Sequence, residues 1–316
     1  MKISAYGIAM GVKQRRYPYE ACLRSLCDFC DEVIVAYDKR FDNPIIFSRI
    51  DPKIRTIEIE YHFEQWDFIN IALTQARRAC NGEWCYIYGM DEVFQKNQTQ
   101  NIRNAVERAL PSWDIITLRM VCMIWFDHIN MQYFDMGHKR GGMTRNKPNL
   151  RHGTSDHHIG IMDSEWWDGK YIKSGDDFMY FDELTNKSYF GEEKIHLIEA
   201  EDDYGFPDDI ANNPAEIIKY RLKNYTHIWH YAWYHIGRKG QQGGQTQIWQ
   251  DRTYGRSPNL DIPTQIQKLK ETIILDPERT KELFALNMKD PTWIQIDLDH
   301  SEYVQEWLGE MTLDAI

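Results

Sequence analysis

At 316 residues, 42% hydrophobic and 27% charged, the chain can enclose a full core, and its 19 Gly and 11 Pro are too few for a collagenous or low-complexity polymer. Its 37 Lys and Arg against 48 Asp and Glu leave a net charge of −11, which excludes a general nucleic-acid-binding surface. No run approaches about 18 consecutive apolar residues, so no transmembrane span is expected.

The first part of the chain alternates strand and helix patterns. Ile3 to Ala9 is β-compatible, and Tyr17 to Phe29 carries Pro18 at an entry position with Ala21, Cys22, Leu26 and Phe29 at helical spacing. Glu32 to Tyr37 is a compact apolar run of buried-strand type that ends at Asp38. Arg55 to Ile59 alternates as a strand, and Trp66 to Cys80 is helical with a stripe of Ile69, Leu73, Ala76 and Ala79. Asn81-Gly82 stops that helix, Trp84 to Tyr88 is the next strand, Asn101 to Leu110 the next helix, and Trp113 to Met123 returns to strand. This order predicts an α/β fold with a doubly wound, mostly parallel sheet and right-handed crossovers.

Periodicity then fades. Residues 127 to 182 are rich in Gly, His, Arg, Asp and Trp and read as substrate-binding loops with short strands. Asp208 to Asn224 is helical, entered through Asn212-Asn213-Pro214. Residues 241 to 263 are Gln- and Gly-rich and suit a lid around Gln241–Gly244, while Ile262 to Leu286 and Ser301 to Leu308 are expected helices. The expected division is therefore a catalytic domain over 1–240 and a polar loop with a helical C-terminal extension over 241–316. Met1 to Gly7 lacks a signal-peptide core, so a cytoplasmic chain with six reduced thiols is expected. Cys27-x-x-Cys30 and Cys80-x4-Cys85 lack regular zinc-knuckle spacing and flank apolar segments, which favours core packing over zinc.

In an open α/β sheet, ligands bind outside the carboxyl ends of the strands. Asp38 follows the second strand, and Asp91-Glu92 follow the strand Trp84 to Tyr88 across a Gly89-Met90 turn. Paired carboxylates there can hold a hard divalent cation that clamps a diphosphate, or one of them can simply cap a following helix.

The run Gly82-Glu83-Trp84-Cys85-Tyr86-Ile87-Tyr88-Gly89-Met90-Asp91-Glu92-Val93 resembles the G-E-W-x-x-x-L-x-A-D-E segment of glycosyltransferase family 2-like enzymes, which have the Rossmann-like GT-A fold. Tyr19 to Leu26 followed by Asp31 to Val35 is similar to that family's opening helix and second strand. Asn70-Ile71-Ala72-Leu73 is similar to its R-N-x-g helix, with Ile69 in place of the arginine. The resemblance covers roughly residues 1–125, and more loosely extends to about 240. It implies transfer of a sugar from a nucleotide-diphosphate donor to an acceptor hydroxyl, with Mn²⁺ or Mg²⁺ and inversion at the anomeric carbon. It also implies that Asp38 contacts the nucleotide and that Asp91, helped by Glu92, holds the metal. One departure stands out: a full D-x-D would place an acid at Gly89.

His227-Ile228-Trp229-His230-Tyr231-Ala232-Trp233 resembles the family's Y-H-Y-x-W segment, and the resemblance makes His230 a metal or diphosphate ligand. A strand that buries Ile228, His230 and Ala232 together explains the same pattern. Arg238 and Lys239 can meet phosphate charge or form a solvated turn. Asp176, with Asp177 as second choice, lies near the family's catalytic-base position, and ordinary Gly-Asp-Asp turn chemistry is the alternative. Of the adjacent Trp166 and Trp167 only one can face an acceptor glycan. Two rival functions stay open: a metal-dependent hydrolase built on His152, His157 and His158, and a catalytically silent GT-A domain that binds glycans.

Overall fold

The computed structural model describes residues 1–13, 15–61, 68–109, 115–125, 128–130, 139–146, 150–152, 180–182, 187–189, 195–197, 205–231 and 293–310. Its strands are β1 (Ile3–Ala9), β2 (Glu32–Tyr37), β3 (Ile54–Glu58), β4 (Trp84–Ile87), β5 (Glu92–Val93), β6 (Ile115–Trp125) and β7 (His128–Asn130). Then follow β8 (Lys139–Arg145), β9 (Leu150–His152), β10 (Tyr180–Asp182), β11 (Lys187–Tyr189), β12 (Ile195–Leu197), β13 (His227–His230) and β14 (Trp293–Gln295). The helices are α1 (Tyr19–Phe29), α2 (Ile45–Ser48), α3 (Phe68–Arg78), α4 (Thr99–Arg108), α5 (Pro214–Asn224) and α6 (Gln305–Glu310).

One face of the sheet is covered by α1 and α4, the other by α3. Side chains alternate across the pleat, so Val33, Val35 and Tyr37 of β2 join α1 and α4 in one core, while Ile34 and Ala36 join Ala72, Leu73 and Ala76 of α3 in the other. The same division runs through β4, with Trp84 and Tyr86 on the α1 side and Cys85 and Ile87 on the α3 side. Burial on both faces explains why these strands are continuous apolar runs. It also separates Cys27 and Cys30 from Cys80 and Cys85 by the sheet, and all four are free, buried thiols.

The sheet is mixed, with a parallel-rich centre. The order β3-β2-β1-β4 is parallel throughout, with Ala5 opposite Val33 on one side and Tyr86 on the other. Beyond β4 the direction reverses, because β8 inserts antiparallel between β4 and β6. The sequence predicts only loops and short strands over 127–182, because Gly141-Gly142 and the charged Lys139-Arg140 hide the character of this seven-residue strand. The long β6 carries β12 and β13 in parallel and β7 antiparallel. β14 then pairs with β7, so part of the expected C-terminal extension adds a strand to this sheet. A separate three-stranded antiparallel sheet comprises β11-β10-β9.

Local chemistry sets the ends of these elements. At α5, Asn213 accepts from the Glu216 N–H at 3.4 Å and Pro214 occupies the first helical turn, as the sequence indicates. The turn before α1 needs Gly11, whose φ is +66°, and Arg16 also lies in the left-handed region at φ +50°. Among the described residues no helix is long and apolar enough to cross a membrane.

Candidate functional site

The carboxyl end of β4 passes through Tyr88-Gly89-Met90 to Asp91 and then into β5. The Glu92 N–H closes this turn onto the Gly89 carbonyl at 3.1 Å, and the Cys22 thiol of α1 donates to the same carbonyl at 3.2 Å. β5 pairs antiparallel with β13 in a register that sets His230 directly opposite Glu92. Opposed residues on neighbouring strands have Cβ atoms about 5 Å apart, so this ladder brings residues distant in the chain to one point.

The outcome is a cluster of Asp91, Glu92 and His230 whose candidate ligand atoms all lie within 4.8 Å of one another. All three side chains are buried, with Asp91 at 7% exposure and Glu92 and His230 at 1%. His230 Nε2 lies 3.7 Å from Asp91 Oδ2, Tyr86 donates its hydroxyl to Glu92 Oε2 at 3.4 Å, and the Tyr231 N–H donates to the Asp91 carbonyl at 2.8 Å. Two carboxylates and an imidazole form an N/O donor set suited to a first-row divalent cation, and the imidazole favours Mn²⁺ over Mg²⁺. Bonds of about 2.1 Å hold donors roughly 3–4 Å apart, so small side-chain rotations from the present spread suffice. These residues fit a metal.

Asp38 sits beyond β2, two strand spacings or about 10 Å across the sheet from the β4 end. Its carboxylate is densely bonded: Oδ1 accepts from the Arg40 backbone N–H at 2.8 Å, both oxygens accept from the Arg40 guanidinium, and Oδ2 also accepts from the Tyr61 N–H at 2.9 Å. Burial pushes this carboxyl up, but the Arg40 guanidinium and the two backbone N–H groups outweigh it and hold it below the usual carboxylate range. Asp38 thus fixes the turn after β2 and the chain beyond β3.

Asp42 was not singled out in the sequence, where it is one acid among many. It accepts from the Gly11 and Val12 N–H groups at 2.6 and 3.0 Å and so pins the loop that follows β1. Burial raises its pKa, partly offset by those two bonds and by Arg15. Tyr61 adds a further tie, donating its hydroxyl to the Ala9 carbonyl at 2.7 Å at the end of β1.

Of the residues expected from sequence, Asp91, Glu92 and His230 come together, and Asp38 lies at the same edge of the sheet but two strands away, beyond β2. Asp176, Asp177, Arg238, Lys239, His157, His158, Trp166, Trp167, Gln241–Gly244 and Ile262–Leu286 lie outside the described residues. His152 closes β9, opposite Tyr180 of β10.

No known protein-family model matches the chain, and no curated protein matches it. Among solved structures, S. aureus TarS 1-349 in complex with UDP-GlcNAc is similar at 16% identity and TM-score 0.31, over 39% of this chain and 35% of that one. A second structure of S. aureus TarS 1-349 is similar at 13% identity and TM-score 0.37, over 90% and 83%. A 4-diphosphocytidyl-2C-methyl-D-erythritol synthase from Anaerococcus prevotii is similar at 16% identity and TM-score 0.29, over 38% and 55%. The chain thus spans about a third of the first structure's length and about half of the synthase's. Likeness of this degree says nothing about activity.

Proposed function

We propose that this protein is a metal-dependent glycosyltransferase of the GT-A type that moves a sugar from a nucleotide-diphosphate donor to an acceptor hydroxyl. The observation that carries the reading is the convergence of Asp91, Glu92 and His230 beyond the carboxyl end of β4 in a sheet whose centre is parallel. His230 supplies the third donor that Gly89 does not, which answers the departure from the D-x-D pattern.

Asp91, Glu92 and His230 would hold Mn²⁺ or Mg²⁺, which when bound supplies Lewis-acid neutralisation of the leaving diphosphate. The nucleoside lies along the ends of β1 and β2, against the loop pinned by Asp42 and the turn fixed by Asp38. Asp176, with Asp177 as second choice, takes the proton of the acceptor hydroxyl. That oxygen bonds to the anomeric carbon as the bond from carbon to the donor phosphate oxygen breaks, which inverts the centre. Arg238 and Lys239 meet the phosphate charge, one of Trp166 and Trp167 seats the acceptor, and Gln241–Gly244 excludes water.

The test is a thermal-shift screen of UDP-, GDP-, dTDP- and CMP-linked donors, each with and without Mn²⁺, on the wild type and Asp91→Asn. A ligand at about 100 times its Kd adds about 2.7 kcal/mol, a shift of several degrees for a chain of this size. One donor class should stabilise the wild type only with Mn²⁺ and leave Asp91→Asn unmoved. If no donor stabilises the wild type under either condition, the reading is wrong.

A further inference from the structure

The segment from Asp299 to Trp307 touches residues that follow three different site strands. Behind β5, the Ser301 hydroxyl donates to the Phe94 carbonyl at 2.9 Å and Gln95 Nε2 donates to the Asp299 carbonyl at 2.9 Å. Behind β1, Trp307 Nε1 donates to the Arg16 carbonyl at 3.0 Å, at the residue with φ +50°. Behind β13, His300 Nδ1 and the Tyr231 hydroxyl are hydrogen-bonded at 3.1 Å. The imidazole also meets the Trp229 ring edge-on at 5.8 Å, and Trp307 meets the Tyr231 ring edge-on at 5.5 Å. Ser301 and Val304 are fully buried, so this segment is anchored in the core.

Tyr231 is the junction. It is the residue after His230, its backbone N–H holds the Asp91 carbonyl at 2.8 Å, and its phenol reaches His300. Tyr231 is thus joined to two members of the Asp91-Glu92-His230 cluster, to His230 along the chain and to Asp91 through its backbone N–H. We infer that His300 is a positioning residue: through Tyr231 it sets the spacing between Asp91 and His230, so that divalent-cation affinity depends on the C-terminal segment. This rests on the metal reading given above. Outer partners that orient metal ligands are worth about 10- to 100-fold in affinity when removed. Sequence spacing offers no hint of the contact, because His300 lies in a short run of Asp, Leu and Ser far from either motif.

The experiment is Mn²⁺ titration of metal-free, full-length protein, with free Mn²⁺ read by electron paramagnetic resonance. The variants are Asp91→Asn, Tyr231→Phe, His300→Ala, His300→Asn and the pair Tyr231→Phe with His300→Ala. Metal-free melting temperatures are measured alongside. Tyr231→Phe keeps the ring packing and removes only the hydroxyl, so it should melt close to the wild type yet bind Mn²⁺ about tenfold more weakly. His300→Ala should weaken binding to a similar degree, the pair no further than either alone, and His300→Asn, which keeps a polar atom near the Nδ1 position, should recover affinity. If Asp91→Asn abolishes binding while Tyr231→Phe and His300→Ala bind as the wild type does, the inference falls and the metal site stands. If the two penalties add in the pair, His300 does not act through Tyr231 and the inference also falls. If the wild type itself binds no Mn²⁺, the metal reading and the inference fall together.

Discussion

Gly7 in β1 tests how tightly the sheet is coupled to the turn that carries Asp91. A Cβ built on Gly7 lies 2.7 Å from Tyr88 Cε2, 2.8 Å from Cζ and 2.7 Å from the Tyr88 carbonyl oxygen. These separations are about 1 Å short of ordinary carbon contacts. Rotating the ring alone cannot relieve them, because one of the three atoms is backbone. The Tyr88 main chain is also fixed, its N–H donating to the Tyr6 carbonyl at 3.1 Å, and its hydroxyl donates to the Ile34 carbonyl at 2.9 Å. Gly7→Ala must therefore displace Tyr88. Overpacking costs about 1–3 kcal/mol, and loss of the buried hydroxyl bond adds about 1 kcal/mol. The expected destabilisation is about 2–4 kcal/mol, or roughly 3–6 °C in melting temperature for a chain of this length. Urea denaturation checks it: the midpoint should fall with little change in m, and Tyr88→Phe alone should lose only the hydroxyl's share. Because Tyr88 leads directly into Gly89 to Glu92, Mn²⁺ affinity should fall with stability. A Gly7→Ala variant within about 0.5 kcal/mol of the wild type would refute the claim that this approach is rigid.

Two pH-dependent outcomes follow from buried groups near the site. Burial lowers the His227 pKa from 6.5 to about 4, opposed by the bond between Nδ1 and the Tyr225 carbonyl. The unfolded chain therefore takes up the proton first; the contribution of His227 is complete above pH 6.5 and is lost as pH falls toward 4, and His227→Gln should flatten that limb of a stability–pH curve by about one proton. Asp38 is held below its ordinary value of 3.8, so its contribution is present above that pH and is lost as pH falls through the lowered value. Asp38→Asn should remove this acid-side loss and destabilise the protein at neutral pH, where the Arg40 guanidinium loses its carboxylate; denaturant midpoints at neutral and acid pH measure both effects.

The layers of the fold were legible because β1 to α4 follow one physical rule at a time. Strands buried on both faces read as Glu32-Val33-Ile34-Val35-Ala36-Tyr37, and the amphipathic stripes of α1 and α3 face the sheet as their spacing requires. Asp91 and Glu92 were legible for a related reason, since their place at a strand end follows from local pattern alone. His230 was left open between ligand and core, and it is buried in a strand as well as grouped with the acids. What joins the two motifs is the pairing of His230 with Glu92, a non-local register that periodicity cannot express. Short strands were expected over 127–182, but the place of β8 between β4 and β6 was not legible, because a strand surrounded by neighbours tolerates Gly141-Gly142, where an isolated propensity count sees a turn. Asp42 and His300 act through backbone groups and a phenol brought to them by the fold, and neither belongs to a motif.

The reversed strand β8 also bears on how the molecule is made. In the finished sheet β8 closes the free side of β4, so during synthesis that side has no native neighbour until residues 139–145 have left the ribosome. Until then a strand carrying Trp84, Cys85, Tyr86 and Ile87 presents open hydrogen-bonding groups along an apolar edge, the arrangement most prone to pairing between chains. A nascent chain halted before residue 139 is thus incomplete in a specific way, and its tendency to aggregate should drop once the later strand closes that edge.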